Sequence, residues 1–212
     1  MRLHVFGGAY FTGENADRLD GVIRQTKRFS ILIYLLCEHS SQPHRRDELM
    51  ALFWPEVDEA RARNALRQSL FALREHLGSD FLIKNGSEEL RLDPEAISSD
   101  ASVFRQYVQK SALEEALALY AGPFLAGFSL QGCPEFDLWV DRCRRELDAL
   151  ALAATQNLAF IAEGRRDVKS ALHWWRRALQ LRPFDERMAR RIMNILAGSG
   201  SRKEAIAEFH GF

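Results

Sequence analysis

From Ala60 to Leu77 the chain reads Ala-Arg-Ala-Arg-Asn-Ala-Leu-Arg-Gln-Ser-Leu-Phe-Ala-Leu-Arg-Glu-His-Leu, and no other stretch limits the fold as strongly. Leu66, Leu70, Leu73 and Leu77 recur at offsets of 4, 3 and 4. At ~100° per residue these four share one narrow stripe of a helix. Asn64, Gln68 and Phe71 fall on the opposite side, flanked by Arg61 and Arg67. One side is built to bury. The other carries amides of the kind that reach base edges, beside guanidiniums suited to phosphate.

The neighbouring segments place this helix in an ordered series. Arg2 to Phe6 and Ala9 to Thr12 flank Gly7-Gly8 and predict a short hairpin. A further strand is expected around Arg18 to Val22. Thr26 is positioned to cap a helix running to about His39, with Phe29, Leu32, Ile33 and Leu36 as its buried side. Ser40 to Pro43 breaks it. A second short helix spans Arg45 to Phe53, and Pro55 to Asp58 turns the chain into the third, which Gly78 ends. Asn85-Gly86 between two short apolar runs is a strong hairpin signal. Three helices followed by a hairpin, after an N-terminal sheet, is the order of a winged helix-turn-helix. Phe71 has two readings, contact with a thymine methyl or packing against Leu52 or the wing. The second is favoured because exposed phenylalanine is uncommon.

Asp93 to Asp100 reads as a linker, and beyond it the chain is helical and rich in alanine. Ala171 and Ala205 stand 34 residues apart, as do Trp175 and Phe209, and Ala178 and Pro183 follow Ala171 by 7 and 12. Small residues and a closing proline at this spacing are those of a tetratricopeptide repeat. Trp174, Trp175 and His173 are read as filling between repeat helices rather than as a ligand box. A second repeat is cut at Phe212, so the native protein is expected to continue past it. The expected fold class is mostly α with small β: a winged helix-turn-helix over residues 1–95 and an all-α, tetratricopeptide-like domain over 96–212.

Composition bounds the function. A chain of 212 residues with 47% hydrophobic and 27% charged side chains is expected to be globular and soluble. No apolar run approaches the ~20 residues of a membrane span. Cys37, Cys133 and Cys143 are odd in number and lack C-x-x-C spacing, which fits a reducing cytoplasm and neither a disulfide framework nor a zinc site. Basic and acidic residues number 29 each, and residues 1–100 hold 13 basic against 16 acidic. The positive charge is local instead: Arg61, Arg63, Arg67 and Arg74 face only Glu75 on the third helix. Modest sequence-independent affinity for nucleic acid follows.

No enzyme is expected. There is neither a G-x-x-x-x-G-K-[ST] nor a G-x-G-x-x-G loop. His39 and His44 have no third ligand in sequence reach, and Ser69 has only His76 two turns away as a base. No cofactor and no metal is therefore predicted.

Two segments also resemble a known family. Arg45-Arg46-Asp47-Glu48-Leu49-Met50-Ala51-Leu52-Phe53-Trp54-Pro55, with Ala62 to Leu70 and Leu73-Arg74, resembles the OmpR-like winged helix of SARP-type bacterial transcriptional regulators. Leu119-Tyr120-Ala121-Gly122-Pro123-Phe124-Leu125-Ala126-Gly127 resembles the signature of the bacterial transcriptional activator domain, and Glu135 to Trp139 and Arg142 to Leu147 extend the likeness. The resemblance implies activation of transcription from promoter direct repeats in double-stranded DNA, usually by a dimer or side-by-side pair that contacts RNA polymerase. Its DNA-binding residues would be Arg61, Asn64, Arg67, Gln68 and Arg74 on the recognition helix. Arg45 and Arg46 would join them at the start of the second helix, and Lys84 and Asn85 at the wing. One departure stands out: the wing continues Ser87-Glu88-Glu89, whose carboxylates repel the DNA backbone. The alternative function is a tetratricopeptide-type interaction adaptor whose winged helix is a docking module.

Overall fold

The computed structural model describes residues 1–13, 20–38, 42–78, 81–86 and 88–211. The side chains of Asp20, Lys84, Asn85 and residues 208–211 fall outside that description. By contacts the chain forms two compact units, residues 1–106 with 119–145, and residues 107–118 with 146–212. The partition at 95 and 96 expected from sequence follows the linker. The units follow contacts instead.

In the first unit, β1 (Arg2–His4) pairs antiparallel with β2 (Tyr10–Thr12), Leu3 opposite Phe11, and both are buried. The strands are shorter than the alternation predicts because the next amides turn elsewhere. Val5 N–H donates to both carboxylate oxygens of Asp100 at 2.9 and 3.1 Å, and Phe6 N–H to one of them at 3.3 Å. Asp100 is 1% exposed. Burial raises its pKa, against the opposing pull of those amides and of His4. Just before it, β6 (Ser98–Ser99) lies parallel to β1, giving the sheet order β2-β1-β6. The segment read as a linker therefore supplies a strand.

Of the strand expected around Arg18 to Val22, Arg18 and Leu19 lie outside the described residues, and the rest is corrected to helix by α1 (Asp20–Ile23). Gln25 N–H bonds the Val22 carbonyl, so the chain turns there into α2 (Thr26–Cys37). Thr26 stands inside that helix, and the cap position, Gln25, makes no side-chain cap bond. The apolar side is wider than expected, since Ile31 and Leu35 are buried along with Phe29, Leu32, Ile33 and Leu36. Next come β3 (His44–Arg45), α3 (Arg46–Phe53) and α4 (Glu59–Leu77). Asp58 caps α4 by accepting from Arg61 N–H at 3.0 Å. Leu66, Leu70 and Leu73 are buried as the stripe requires, while Leu77, the last residue of the helix, is only half-buried. The hairpin of β4 (Leu82–Asn85) and β5 (Glu89–Leu92) follows, turning at Gly86 with φ +69°, and β3 completes the order β3-β5-β4.

The activator-signature segment packs on the N-terminal sheet of the same unit. Leu125 N–H donates to Val5 O at 2.7 Å and Gly7 N–H to Pro123 O at 3.0 Å. Gly7 has φ +73°, and a Cβ there would stand 3.2 Å from the Ala121 carbonyl oxygen, so only glycine fits. Arg144 closes the loop by donating to the carbonyls of Phe124, Leu125 and Phe128 at 2.8, 2.6 and 3.1 Å. Phe29, Phe53, Phe128, Phe136 and Trp139 form a connected aromatic core, with Trp139 Nε1 donating to Glu38 at 2.6 Å.

The remaining helices are α5 (Asp100–Gln109), α6 (Leu113–Leu119), α7 (Pro134–Gly164), α8 (Val168–Leu181), α9 (Glu186–Gly198) and α10 (Arg202–Gly211). In the second unit Trp175 and Ala178 of α8 share a core with Ala159, Met188, Ile192, Leu196 and Ala205, and Ala171 of α8 is buried too. Asp167 and Asp185 cap α8 and α9. Phe209, the repeat partner of Trp175, has its side chain outside the described residues.

Candidate nucleic-acid interface

Because α4 buries its leucines, it must turn the opposite stripe outward. Arg61, Asn64, Arg67 and Gln68 are all exposed there. Arg67 donates to Asn64 Oδ1 at 2.9 Å, and Arg61 Nε lies 3.2 Å from Asp58. The Asn64 bond matters chemically. An amide oxygen has two lone pairs, so Oδ1 can hold Arg67 and still accept from an adenine N6 while Nδ2 donates to N7. Gln68, one turn on, makes no hydrogen bond among the described residues. Phe71 is not packed as favoured from sequence: it is 61% exposed.

Arg45 and Arg46 do not act alike. Arg45 lies in β3 opposite Glu89, one residue before the helix. Its guanidinium grips Asp47 through two bonds at 3.0 and 2.7 Å. That contact raises the pKa of Arg45 and lowers that of Asp47. Arg46 opens α3, its N–H bound to the Glu88 carbonyl at 2.9 Å. Its Nε is buried with no hydrogen-bond partner among the described residues. Burial lowers its pKa, Glu88 opposes this, and Arg74 adds repulsion. The fold thus brings Arg46 and Arg74 into one electrostatic neighbourhood. Lys84 and Asn85 close β4, but their side chains lie outside the described residues, as does Ser87 at the wing tip.

Sequence reading missed Arg28. With Arg67, Gln68, Phe71, Ala72 and Glu75 it lines a concavity of about 470 Å³ beside α4. The available signal was the pair Lys27-Arg28 in a first helical turn that carries no acid. Other candidate groups are engaged by backbone: Ser69 Oγ donates to Ala65 O at 2.8 Å, and His76 Nδ1 lies 2.8 Å from Ala72 O. His44 is buried, and His39 lies outside the described residues. Burial pushes the Cys37 thiol up to about 12. Among the described residues no helix is long and apolar enough to cross a membrane.

Three helices followed by a hairpin, with a small N-terminal sheet, are joined to a run of further helices. The chain belongs to the family of the bacterial transcriptional activator domain, which matches residues 99–212, more than half its length. That family is one of transcriptional regulators rather than enzymes, and the membership bears out the SARP-type resemblance. No curated protein matches the chain. Among solved structures it is similar to Mycobacterium tuberculosis EmbR in complex with a low affinity phosphopeptide, at 13% identity and a TM-score of 0.58. The likeness covers 99% of this chain and 57% of that one, so this chain spans little more than half its length. At that identity it speaks for the fold.

Proposed function

We propose that this protein is a sequence-specific DNA-binding transcriptional activator whose α4 enters the major groove of promoter direct repeats. The observation that carries the reading is the exposed stripe of Asn64, Arg67 and Gln68, with Asn64 oriented by Arg67. Asn64 and Gln68 read base edges. Arg61, Arg67 and Arg74 set the helix on phosphates, with Arg45 and Arg46 across the groove and Lys84 and Asn85 at the wing. Residues 1–95 form the DNA-binding part. Residues 96–212 receive the signal or pair protomers and contact RNA polymerase. The setting is the cytoplasm.

In vitro selection from randomised duplexes, followed by affinity measurements at two salt concentrations, tests this. Direct repeats should emerge. Asn64→Ala and Gln68→Ala should each relax the preference at one base and cost ~1–3 kcal/mol. Arg67→Ala should weaken all sequences and flatten the salt dependence, with part of the preference at the Asn64 base lost because that amide is no longer held. A chain that enriches no sequence and binds no duplex at either salt would refute the reading in favour of an interaction adaptor, which the exposed Glu88 at the wing would suit.

A further inference from the structure

Asn64, Arg67, Gln68 and Phe71 recur at offsets of 3, 1 and 3 along α4, and Phe71 is the apolar member of that stripe. Its ring is 61% exposed and faces a concavity also lined by Arg28 and Arg67. Resting on the DNA-binding reading above, we propose that Phe71 reads the C5-methyl group of a thymine in the major groove.

The groove's chemistry selects this ligand. Among major-groove edges only thymine presents a methyl group; cytosine has a bare C5–H there, and the purines display donors and acceptors. A phenyl ring laid over N7, O6 or N4 would strip water from those atoms and offer no partner in return. Against a methyl the same ring gains contact and leaves nothing polar unpaired. Asn64 to Phe71 spans two helical turns, ~10 Å of rise. That places the thymine within about three base pairs of the base Asn64 reads. Arg28 and Arg67 supply the positive field that holds the backbone close on this side. Glu75, one turn further along α4, repels phosphate and marks where the helix leaves the groove.

Deoxyuridine differs from thymidine by that methyl alone, which makes the test direct. The full chain is used to select an operator, and each thymine in it is replaced singly by deoxyuridine. At one thymine per site, the replacement should weaken the wild-type protein about fourfold. The same replacement should leave Phe71→Ala unaffected, and Phe71→Leu should keep part of the preference. Phe71→Ala should bind the thymine operator about tenfold less well than wild type. Its melting temperature is the control, and because the ring is exposed it should not move. Equal sensitivity of wild type and Phe71→Ala at every thymine would overturn the proposal. So would selected operators lacking thymine near the Asn64 base, or loss of self-association in place of loss of thymine preference. An operator that depends on Asn64 and Gln68 but not on Phe71 sinks this inference and leaves the DNA reading standing. Failure to select any operator sinks both.

Discussion

In the first compact unit the core is made of aromatic rings gathered from distant parts of the chain. In the second, three alanines stand with Met188, Ile192 and Leu196 around Trp175, on helices that mostly follow one another. Phe29, Phe53, Phe128 and Phe136 meet although up to 107 positions separate them. Trp175, Ala178, Met188 and Ile192 meet within two neighbouring helices. The first core is filled by large side chains and tied by polar bonds from afar, such as Asp100 to Val5 and Arg144 to Phe124. The second depends on close backbone approach, which small residues permit. A large ring lost from the first leaves a hole. A large group added to the second has nowhere to go.

Four substitutions sharpen or break that contrast. Phe136→Ala should cost most, about 4 kcal/mol, since the ring is fully buried among three aromatic partners. Urea unfolding resolved by hydrogen exchange should register the loss in the first unit, and a loss under about 1 kcal/mol would show that its core repacks. Asp100→Ala should follow at about 3 kcal/mol, because the amides of Val5 and Phe6 lose their buried acceptor. Exchange protection at those two amides is the readout. Ala178→Leu should cost about 2 kcal/mol by overpacking the second core, whereas a stabilised variant would mean that space exists there.

The smallest effect is electrostatic. Glu163 accepts from Arg191 at 3.0 and 2.6 Å and from Trp175 Nε1 at 2.6 Å. Arg191's bonds, then Trp175's, hold its carboxyl below the ordinary value of 4.5. A carboxyl that titrates lower when folded stabilises fully above its unfolded pKa, and the gain is lost as pH falls through the folded one. The second unit should therefore weaken below about pH 4.5, and Glu163→Gln should flatten that dependence. Half-exposed Arg191 keeps the effect under about 1 kcal/mol. A melting curve in acid that is identical for both proteins would remove Glu163 from the account.

Legibility tracks the range of the contacts. The leucine stripe of α4, its outward polar face and the 34-residue repeat are periodic, so they could be read from a short window of sequence. The strand β6 inside a Pro- and Ser-bearing stretch could not, because two residues become a strand only when β1 is there to pair with them. Nor could the environment of Phe71: burial or exposure of one ring depends on what other segments bring to it, and among the described residues most of it stays exposed.

By itself the sequence determined the helix that faces outward and the residues on it, because 3.6-residue periodicity assigns every side chain of a helix to a face without reference to the rest of the chain. Tertiary structure alone decided which distant segments share a core. It joined residues 119–145 to the N-terminal sheet and drew Arg46 toward Arg74. Those pairings depend on shape and on hydrogen-bond partners that come together only when the chain closes on itself.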